Sequence, residues 1–243
     1  MATTITSAAL SEQGYDFVDG SEVLSLVDPE GANWKEFADF WNDMGEDPYL
    51  QGDYMFRNRR FGQLGLVPSE GRIWLREHAA FFQPVEVNKY AGGIERRFDP
   101  LTEEIVTHPV FSGLITSAYA QFGIEPEFAD AEWHVDINMF RLKVDTNRIT
   151  EPTPEGIHRD GYPFGVIHVV NRHQVEGGVS HVYTNDEQLL NVRKLEPPMD
   201  SLYAWDNRVK HFATPLFATT PAEGYRDILG YVFYLPGTKY EKA

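Results

Sequence analysis

Three side chains in the second half of the chain have the chemistry of a metal site. His158 and Asp160 form a His-x-Asp pair in the segment GIHRDGYPFGVIHVVNRH, and His211 supplies a second imidazole. Two imidazoles and one carboxylate can occupy one face of an octahedral Fe(II) and leave positions open for a co-substrate and O2. We therefore predict an Fe(II) site at these residues, although the same ligands also accept manganese, cobalt, nickel or zinc.

The spacing within this triad suits a β scaffold. Residues two apart on a strand project from the same face, so His158 and Asp160 can point at one ion while Arg159 points away. Strand pairing across a barrel can bring a distant residue opposite that pair, which accounts for the long interval before His211. The triad therefore predicts strands at both positions.

A second His-x-Asp pair, His134 and Asp136, lies in the segment EWHVDINMFRLKV. The apolar residues that follow it alternate as they do in a strand with one buried face. We interpret this pair as the polar beginning of that strand. The pair at His158 is the better candidate because a turn rich in Pro and Gly and an apolar strand pattern over 164–170 follow it.

Arg226 is the candidate anion-binding residue. It lies in GYRDILGYVFYL, at the start of an apolar and aromatic strand. An arginine that faces the interior needs an anion, and its planar guanidinium matches a carboxylate in two parallel hydrogen bonds. A dicarboxylate co-substrate could chelate the metal at one end and pair with Arg226 at the other. The alternative is a structural ion pair with a residue such as Asp227.

These residues together resemble the iron(II)- and 2-oxoglutarate-dependent dioxygenases, and more closely the branch that hydroxylates free aliphatic amino acids. The resemblance covers most of the chain. Beyond the triad and Arg226 it includes FFQPVEVNKYAGGIERRF over 81–98, His168 and Asn171 in IHVVN, the Gly177 and Gly178 pair, HFATPL from His211, and RDIL from Arg226.

The resemblance implies a double-stranded β-helix fold, and Fe(II), 2-oxoglutarate and O2 as cofactor and co-substrates. It implies that His158, Asp160 and His211 bind iron. The expected products are succinate, CO2 and a hydroxylated or sulfoxidised free L-amino acid such as Leu, Ile or Met.

The resemblance also implies roles for residues around the co-substrate. Arg226 is expected to bind the distal carboxylate of 2-oxoglutarate, and His168 is expected to help order the site. Many relatives carry Ser or Thr two residues after this arginine, whereas this chain has Ile228. The missing hydrogen bond is then expected from Thr214.

A free amino acid carries both charges. Its pocket should present a cation to the carboxylate, an acceptor to the ammonium group and apolar walls to the side chain. The candidates for the cation are Arg57, Arg59 and Arg141. Arg57 and Arg59 occur two apart in the segment RNR, and Arg141 lies on the strand before the first metal ligand. A solvated surface arginine is the alternative for each of them.

Composition limits the fold and the partners. A length of 243 residues suits one domain over 1–243, with a helical and mixed part over about 1–130 and a jelly-roll core over about 131–243. The formal net charge of -16 argues against nucleic acid or an anionic membrane as partner. The chain has no cysteine, which excludes disulfides, zinc ribbons and thiol nucleophiles. We expect a small-molecule amino acid as partner, with a homodimer left open.

The beginning of the chain lacks the pattern of a signal peptide, and no stretch approaches membrane-spanning length. We therefore expect a cytoplasmic protein.

Periodicity predicts two helices and then a series of strands. One helix should begin after Asn33, with Glu36 completing a capping box. The other should begin near Pro109 and end at Gly123, with an apolar stripe on one face. The predicted strands cover 137–144, 156–160, 164–170, 179–184, 188–192, 201–205, 210–213 and 228–235. This pattern favours a mainly β fold with flanking helices, a jelly roll or double-stranded β-helix closed around the metal.

Two other functional classes stay open. The first is a 2-oxoglutarate oxygenase that acts on a peptide, a protein or a specialised metabolite, for which a wide groove would be expected. The second is a non-oxygenase metal protein of the cupin type, such as an isomerase, a hydrolase or a ligand sensor. A protein of that second class would have no co-substrate carboxylate for Arg226 to bind.

Overall fold

The computed structural model describes residues 4–49, 57–88, 90–147 and 149–242. The strands within these residues are β1 Tyr15–Val18, β2 Arg57–Val67, β3 Arg72–Leu75, β4 Asp99–Pro100, β5 Trp133–Val144, β6 Phe164–His173, β7 Val175–Gly177, β8 Val179–Tyr183, β9 Leu189–Lys194, β10 Ser201–Trp205, β11 Lys210–Ala213, β12 Leu216–Ala218 and β13 Gly224–Tyr234. The α-helices are α1 Ala8–Gln13, α2 Gly20–Val27, α3 Trp34–Asp39, α4 Glu103–Thr107 and α5 Pro109–Gln121. Short 3-10 helices cover Phe40–Asn42, Pro68–Glu70 and Pro126–Phe128.

Most of the strands form one large sheet in the order β1-β10-β6-β13-β5-β2-β3, with the short β4 beside β2. Its pairs are antiparallel apart from the pairing of β4 with β2. A three-stranded sheet, β11-β8-β9, and a two-stranded sheet, β12-β7, complete the β structure of the described residues. This arrangement confirms the predicted fold class, a mainly β jelly roll with flanking helices.

The two faces of the large sheet are both buried, but against different surroundings. Alternate residues of a strand point to opposite sides of the sheet. On one side, residues such as Val135, Ile137 and Phe233 pack with α5 in the main hydrophobic core. On the other side, residues such as Phe140 and Ile228 line an internal cavity. The helices therefore buttress the outer face of the sheet, and the inner face is free to form a site.

The predicted helix at Pro109 is confirmed. Pro109 occupies the first turn of α5, and the Nδ1 atom of His108 caps the helix by accepting a hydrogen bond from the backbone N–H of Val110 at 3.3 Å. Gly123 follows the helix with a positive φ of 61°, which suits a stop. The stripe is buried and consists of Phe111, Leu114, Ile115, Ala118 and Phe122.

The other predicted helix is present as α3, but its cap is different. The side chain of Asn33 makes no capping hydrogen bond. The carboxylate of Asp28 instead accepts hydrogen bonds from the backbone N–H groups of Asn33 and Trp34 at 3.0 and 2.8 Å. The carboxylate that caps the helix therefore belongs to Asp28, five residues before Asn33, and a turn of the chain brings it back to the start of the helix. Among the described residues, no helix is both long enough and apolar enough to cross a membrane.

The predicted strand over 156–160 is wrong. His158 forms only an isolated antiparallel bridge, with His211. Gly156 and Gly161 have positive φ values of 82° and 85°, which interrupt an extended strand at both ends of this segment. The site segment is therefore a loop held by one bridge.

Sequence periodicity also missed β2, an eleven-residue strand that pairs with β5 from Arg57 to Leu66. Its polar beginning, RNRR, concealed the strand pattern, because the side chains that face the cavity are the polar Arg57 and Arg59, and Asn58 and Arg60 on the other face donate to backbone carbonyls. With β1, β3 and β4 it lies before residue 131, so the large sheet begins well ahead of the boundary that we expected near residue 130.

Candidate metal and co-substrate site

The bridge between His158 and His211 brings the three candidate ligands together. The backbone N–H of His158 donates to the carbonyl of His211 at 3.1 Å, and the reciprocal bond measures 2.9 Å. This pairing places the two imidazole centroids 4.3 Å apart. The carboxylate oxygens of Asp160 lie 3.6 Å from Nε2 of His158 and 3.8 Å from Nε2 of His211. One ligand atom from each residue falls within a cluster no wider than 4.8 Å, so a single ion could contact all three.

The tautomer of His158 suits metal binding. Its Nδ1 lies 3.0 Å from the carbonyl oxygen of Gly156. A carbonyl can only accept, so Nδ1 carries the hydrogen and the neutral ring presents a lone pair at Nε2. That nitrogen is the one that faces Asp160. A hydrogen bond from the second ring nitrogen to a carbonyl is the usual way in which proteins orient a ligating imidazole.

A buried carboxylate, Asp206, fixes the backbone around Asp160. It accepts hydrogen bonds from the backbone N–H groups of Asp160, Gly161 and Tyr162 at 2.9, 2.8 and 3.3 Å. Burial and the nearby charge of Asp160 nevertheless raise the pKa of Asp206 to about 7. Asp206 was not among the candidates from sequence, and no local pattern marks it, because its role depends on hydrogen bonds to a loop 44 to 46 residues away.

The charges within the triad are unequal. Burial opposes the charged form of His158, but the hydrogen bond with Asp160 and the charge of Glu155 outweigh it and raise the pKa of His158 to about 9. Burial and the neighbouring His158 lower the pKa of His211 to about 4. A divalent ion that binds these nitrogens displaces the proton from His158 and takes over the neutralisation of Asp160. The three candidate ligand atoms are therefore better matched to a bound divalent cation than to two protonated imidazole rings.

Arg226 faces the same cavity without an ion pair. It is 2% exposed, its Nε atom has no hydrogen-bond partner, and no described carboxylate lies within ion-pair distance. Burial and the charge of Arg172 lower its pKa to about 9, so Arg226 is still a cation at neutral pH. A Cβ atom at Gly178 would lie 2.8 Å from the Nη1 atom of Arg226, so the guanidinium packs directly against the backbone at this glycine. A buried cation without a partner requires an anionic ligand.

One internal cavity of about 200 Å³ includes all of these groups. Its lining contains the triad, Asp206, Arg226 and residues from both the large sheet and the three-stranded sheet. The apolar part of the lining includes Phe140, Leu142, Ile167, Leu202 and Ile228. The cavity thus combines a metal-binding group, an unpaired cation and apolar walls.

Comparison with known proteins identifies this combination. The model of the 2OG-Fe dioxygenase family matches residues 38–232, which is most of the chain. The chain belongs to this family. The L-isoleucine-4-hydroxylase of Bacillus thuringiensis is 24% identical to it over 162 residues, which cover 65% of this chain and 67% of that protein. Fe(II), 2-oxoglutarate and O2 are therefore the cofactor and co-substrates of this dioxygenase, as predicted.

Solved structures have the same fold. A bsmA homolog from Methylobium petroleophilum PM1 matches with a TM-score of 0.82 and 28% identity, covering 95% of this chain and 92% of that one. IDO from Bacillus thuringiensis matches with a TM-score of 0.74 and 18% identity, covering 93% of this chain and 96% of that one. The jelly roll of the dioxygenase is thus shared with these structures over nearly the whole chain.

Of the three arginines proposed from sequence for the substrate, Arg59 faces the cavity of the dioxygenase without a described carboxylate partner. Its guanidinium carbon lies 4.6, 3.9 and 4.9 Å from the ring centroids of Phe81, Phe98 and Phe140. Its Nε and Nη2 atoms donate to Oδ1 of Asn138 at 3.2 and 2.5 Å. The side chain is 3% exposed, and burial lowers its pKa well below the ordinary value.

The other two arginines have carboxylate partners. Arg57 lines the cavity but donates from Nε and Nη2 to Oδ2 of Asp47 at 2.8 and 2.5 Å. Arg141 is paired with Asp227 and is not among the described residues that line the cavity. The structure therefore does not bring Arg141 to the site, because it points from β5 to the opposite face of the sheet.

Two residues assigned to the co-substrate also lie elsewhere. His168 is fully buried on the helix side of the sheet, where its ring nitrogens pair with the hydroxyls of Ser201 at 2.5 Å and Tyr231 at 2.7 Å. The hydroxyl of Thr214 accepts a hydrogen bond from the backbone N–H of Val179 at 2.9 Å. Neither residue is among the described cavity-lining residues. Alternation along β6 sends His168 away from the cavity, and the hydroxyl of Thr214 is already used locally.

The second His-x-Asp pair is structural, in agreement with its interpretation from sequence. His134 packs its ring against Tyr234 and forms a short contact with Arg76. Asp136 accepts hydrogen bonds from the hydroxyl of Tyr162 at 2.8 Å and from the side-chain amide of Gln63 at 2.9 Å. No further metal-ligating side chain in the described residues joins the pair in a cluster.

Arg96 and Glu155 line the cavity and were not singled out from sequence. Arg96 is 3% exposed, its guanidinium lies 4.8 Å from the ring centroid of Phe81, and its Nε has no partner. Glu155 places a carboxylate oxygen 3.3 Å from Nε2 of His158. Arg96 lies inside the segment 81–98 that carried the family resemblance, so the resemblance already pointed to this part of the chain. Glu155 ends the acidic, proline-bearing segment 147–155, whose composition predicted a loop at the mouth of the site without singling out this residue.

Proposed function

We propose that this dioxygenase hydroxylates, or sulfoxidises, a free L-amino acid with an aliphatic or thioether side chain, such as Leu, Ile or Met. The observation that carries the proposal is a cavity that holds one metal-binding triad and buried arginines without a described carboxylate partner: Arg226 on one strand, and Arg59 with the nearby Arg96 elsewhere in the lining. Two cations can accept two carboxylates, one from 2-oxoglutarate and one from an amino acid. The relative named L-isoleucine-4-hydroxylase supports the same substrate class.

The metal ligands in this proposal are His158, Asp160 and His211. Asp206 holds the loop that carries Asp160, and the carbonyl of Gly156 orients His158. When bound, Fe(II) supplies the activation of O2 that couples decarboxylation of 2-oxoglutarate to oxygen insertion into the substrate. The residues of the chain contribute the position of the ion and apolar walls around the substrate.

Arg226 is proposed to bind the distal carboxylate of 2-oxoglutarate. Its guanidinium is buried, is charged at neutral pH and has no described carboxylate partner. A carboxylate there would gain charge-assisted hydrogen bonds in a site of low dielectric. A co-substrate without this carboxylate would leave the cation uncompensated, which accounts for selection of a dicarboxylate.

Arg59 is proposed to bind the carboxylate of the amino acid. It lies on β2, two strands from Arg226 on β13, with β5 between them. The three aromatic rings around its guanidinium fix its position, and no carboxylate of the described residues forms an ion pair with it. Glu155, an acidic group of the lining near the metal ligands, is proposed to accept the ammonium group. The apolar walls then face the aliphatic side chain.

The test is anaerobic reconstitution with Fe(II) and 2-oxoglutarate, followed by O2 and quantitation of succinate across a panel of free L-amino acids. We expect succinate in proportion to an amino-acid product that has gained the mass of one oxygen atom. The variant His211→Ala serves as the control and should give neither. Succinate without such a product would redirect the substrate to a peptide or a specialised metabolite. Absence of both succinate and an oxidised product with every amino acid, although Fe(II) is bound, would overturn the proposed substrate class.

A further inference from the structure

The distal carboxylate of 2-oxoglutarate needs more hydrogen-bond donors than Arg226 alone offers in a buried site. Ile228, two residues further along β13, carries no donor, although its side chain faces the same cavity. Thr214 does not fill this place, because its hydroxyl faces the backbone of Val179. A second donor must therefore come from another strand that reaches the cavity.

Strand β8 begins close to Arg226 and then runs alongside the strand that carries the metal ligand His211. Val182 on this strand pairs with His211 on β11, and Ser180 pairs with Ala213. Two residues before Ser180, Gly178 lies directly against the guanidinium of Arg226. Ser180 and Val182 share the buried face of β8, and Gly178, with a positive φ of 65°, lies just before the first residue of that strand. Along the chain, Ser180 therefore lies between Gly178, which is beside the guanidinium of Arg226, and Val182, which pairs with the metal ligand His211.

The hydroxyl of Ser180 is available for a ligand. Ser180 is 7% exposed and belongs to the lining of the cavity. Within the described part of the chain, no group forms a hydrogen bond with this hydroxyl. Buried hydroxyls are normally hydrogen-bonded, so one that faces a cavity without a partner points to a polar ligand at that place. The neighbouring Ala213 and the side chain of Ile228 offer it no partner.

We propose that the hydroxyl of Ser180 donates a hydrogen bond to the distal carboxylate of 2-oxoglutarate, beside the guanidinium of Arg226. This inference rests on the proposed binding of that carboxylate at Arg226. Ser180 takes the place of the hydroxyl that many relatives carry two residues after the arginine. The carboxylate then has one cationic donor from the large sheet and one neutral donor from the three-stranded sheet.

The test compares two 2-oxo acids by equilibrium dialysis, with Fe(II) present and O2 excluded. 2-Oxoglutarate has the distal carboxylate, and 2-oxopentanoate has a methyl group in its place. In Ser180→Ala we expect the Kd of 2-oxoglutarate to rise roughly tenfold or more, the effect of one lost hydrogen bond to a charged group. The Kd of 2-oxopentanoate should stay the same. Ser180→Thr retains a hydroxyl and should retain most of the affinity for 2-oxoglutarate.

Thr214→Val is the matched control. It removes a nearby hydroxyl that bonds to the backbone, so it should lower the melting temperature but leave the ratio of the two Kd values unchanged. The inference is overturned if Ser180→Ala weakens both acids equally, or if it weakens neither. It is also overturned if Thr214→Val, and not Ser180→Ala, removes the preference for 2-oxoglutarate.

Failure of the inference and failure of the proposed function give different results. One outcome is that the unsubstituted protein and Ser180→Ala both bind 2-oxoglutarate much more tightly than 2-oxopentanoate. That result would contradict the role of Ser180 and leave the proposed function in place. If the unsubstituted protein binds the two acids with equal Kd values, both the proposed carboxylate site at Arg226 and the role of Ser180 are contradicted. Melting temperatures of each variant show whether a loss of binding comes from unfolding.

Discussion

Arg141 donates two hydrogen bonds to Asp227, from Nε to Oδ1 at 2.7 Å and from Nη2 to Oδ2 at 2.8 Å. Asp227 is fully buried and directly follows Arg226 in the chain. Consecutive residues of a strand face opposite sides of a sheet, so Asp227 cannot reach the guanidinium of its neighbour. The ion pair between β5 and β13 thus satisfies Asp227 on one face. It leaves Arg226 available for a ligand on the other.

The two arginines should therefore differ in their effect on stability. Arg141→Ala leaves Asp227 buried and unpaired, and we expect the free energy of unfolding to fall by about 3 to 5 kcal/mol. Arg226→Ala removes a buried cation that has no described partner, so it should leave stability nearly unchanged or raise it. It should also weaken 2-oxoglutarate binding by on the order of 100-fold or more. Chemical denaturation and equilibrium dialysis measure the two effects, and equal destabilisation by both substitutions would contradict this assignment.

The two His-x-Asp pairs should respond differently to alanine substitution. His211→Ala removes one of three metal ligands and should abolish stoichiometric Fe(II) binding, together with the rise in melting temperature that a bound ion produces. His134→Ala is the control, since His134 contacts Arg76 and Tyr234 and lies outside the cluster. It should bind one equivalent of Fe(II), measured by anaerobic titration and metal analysis. Loss of the metal in His134→Ala alone would reverse the assignment of the two pairs.

Asp206 should affect the metal without touching it. Asn at this position has one carbonyl oxygen in place of two acceptor oxygens, so Asp206→Asn loosens the backbone of Asp160. We expect Fe(II) affinity to fall by about 10- to 100-fold, as for other groups that orient metal ligands. Asp200→Asn is a matched control, because Asp200 is also buried and accepts backbone N–H bonds from Gly20 and Glu196. Equal metal affinity in the two variants would show that Asp206 has no positioning role.

The arginine that anchors the amino acid should be Arg59. In Arg59→Ala we expect the KM of the amino acid to rise by about tenfold or more, since a charge-assisted contact is lost. The anaerobic Kd of 2-oxoglutarate should stay unchanged. Arg57→Ala should have a smaller effect on this KM, because Arg57 is already paired with Asp47. Normal substrate affinity in both variants and in Arg141→Ala would remove all three arginines as anchors.

His168 should make stability depend on pH. Its burial lowers its pKa from 6.5 to about 3. The unfolded chain binds a proton below pH 6.5 that the folded chain refuses, so this contribution is complete above pH 6.5 and is lost as the pH falls toward 3. Over that window the free energy of unfolding should fall by about 1.4 kcal/mol per pH unit more in the unsubstituted protein than in His168→Gln. Denaturation curves at several pH values measure this difference, and parallel pH dependence in the two proteins would contradict it.

Several features of the fold and site could be predicted from sequence because they are local. The stripe and cap of α5 lie within 16 consecutive positions, 108–123, and helical periodicity reports them directly. The His-x-Asp spacing, the later histidine at position 211 and the arginine on a terminal strand marked the triad and Arg226 as candidates. Family resemblance then supplied the cofactors, which spacing alone left open among several metals.

Sequence patterns failed where a role depends on a partner far along the chain. The segment at His158 was expected to be a strand because His-x-Asp spacing places two ligands on one strand face, but a single bridge to His211 holds it as a loop. β2 was missed because its inward-facing residues are arginines that only an enclosed site makes favourable.

The chain by itself therefore determined the donor types and the mainly β architecture, since these follow from residue chemistry and short-range periodicity, and its motifs indicated the family by resemblance. Only the tertiary structure decided that Arg226 and Arg59 face the cavity without a described carboxylate partner, that Asp206 holds the backbone at Asp160, and that Ser180 lines the same cavity as Arg226. The physical reason is strand pairing. The register between distant strands sets which side chains share a face, and a shift of one residue would send each of them to the opposite side of the sheet.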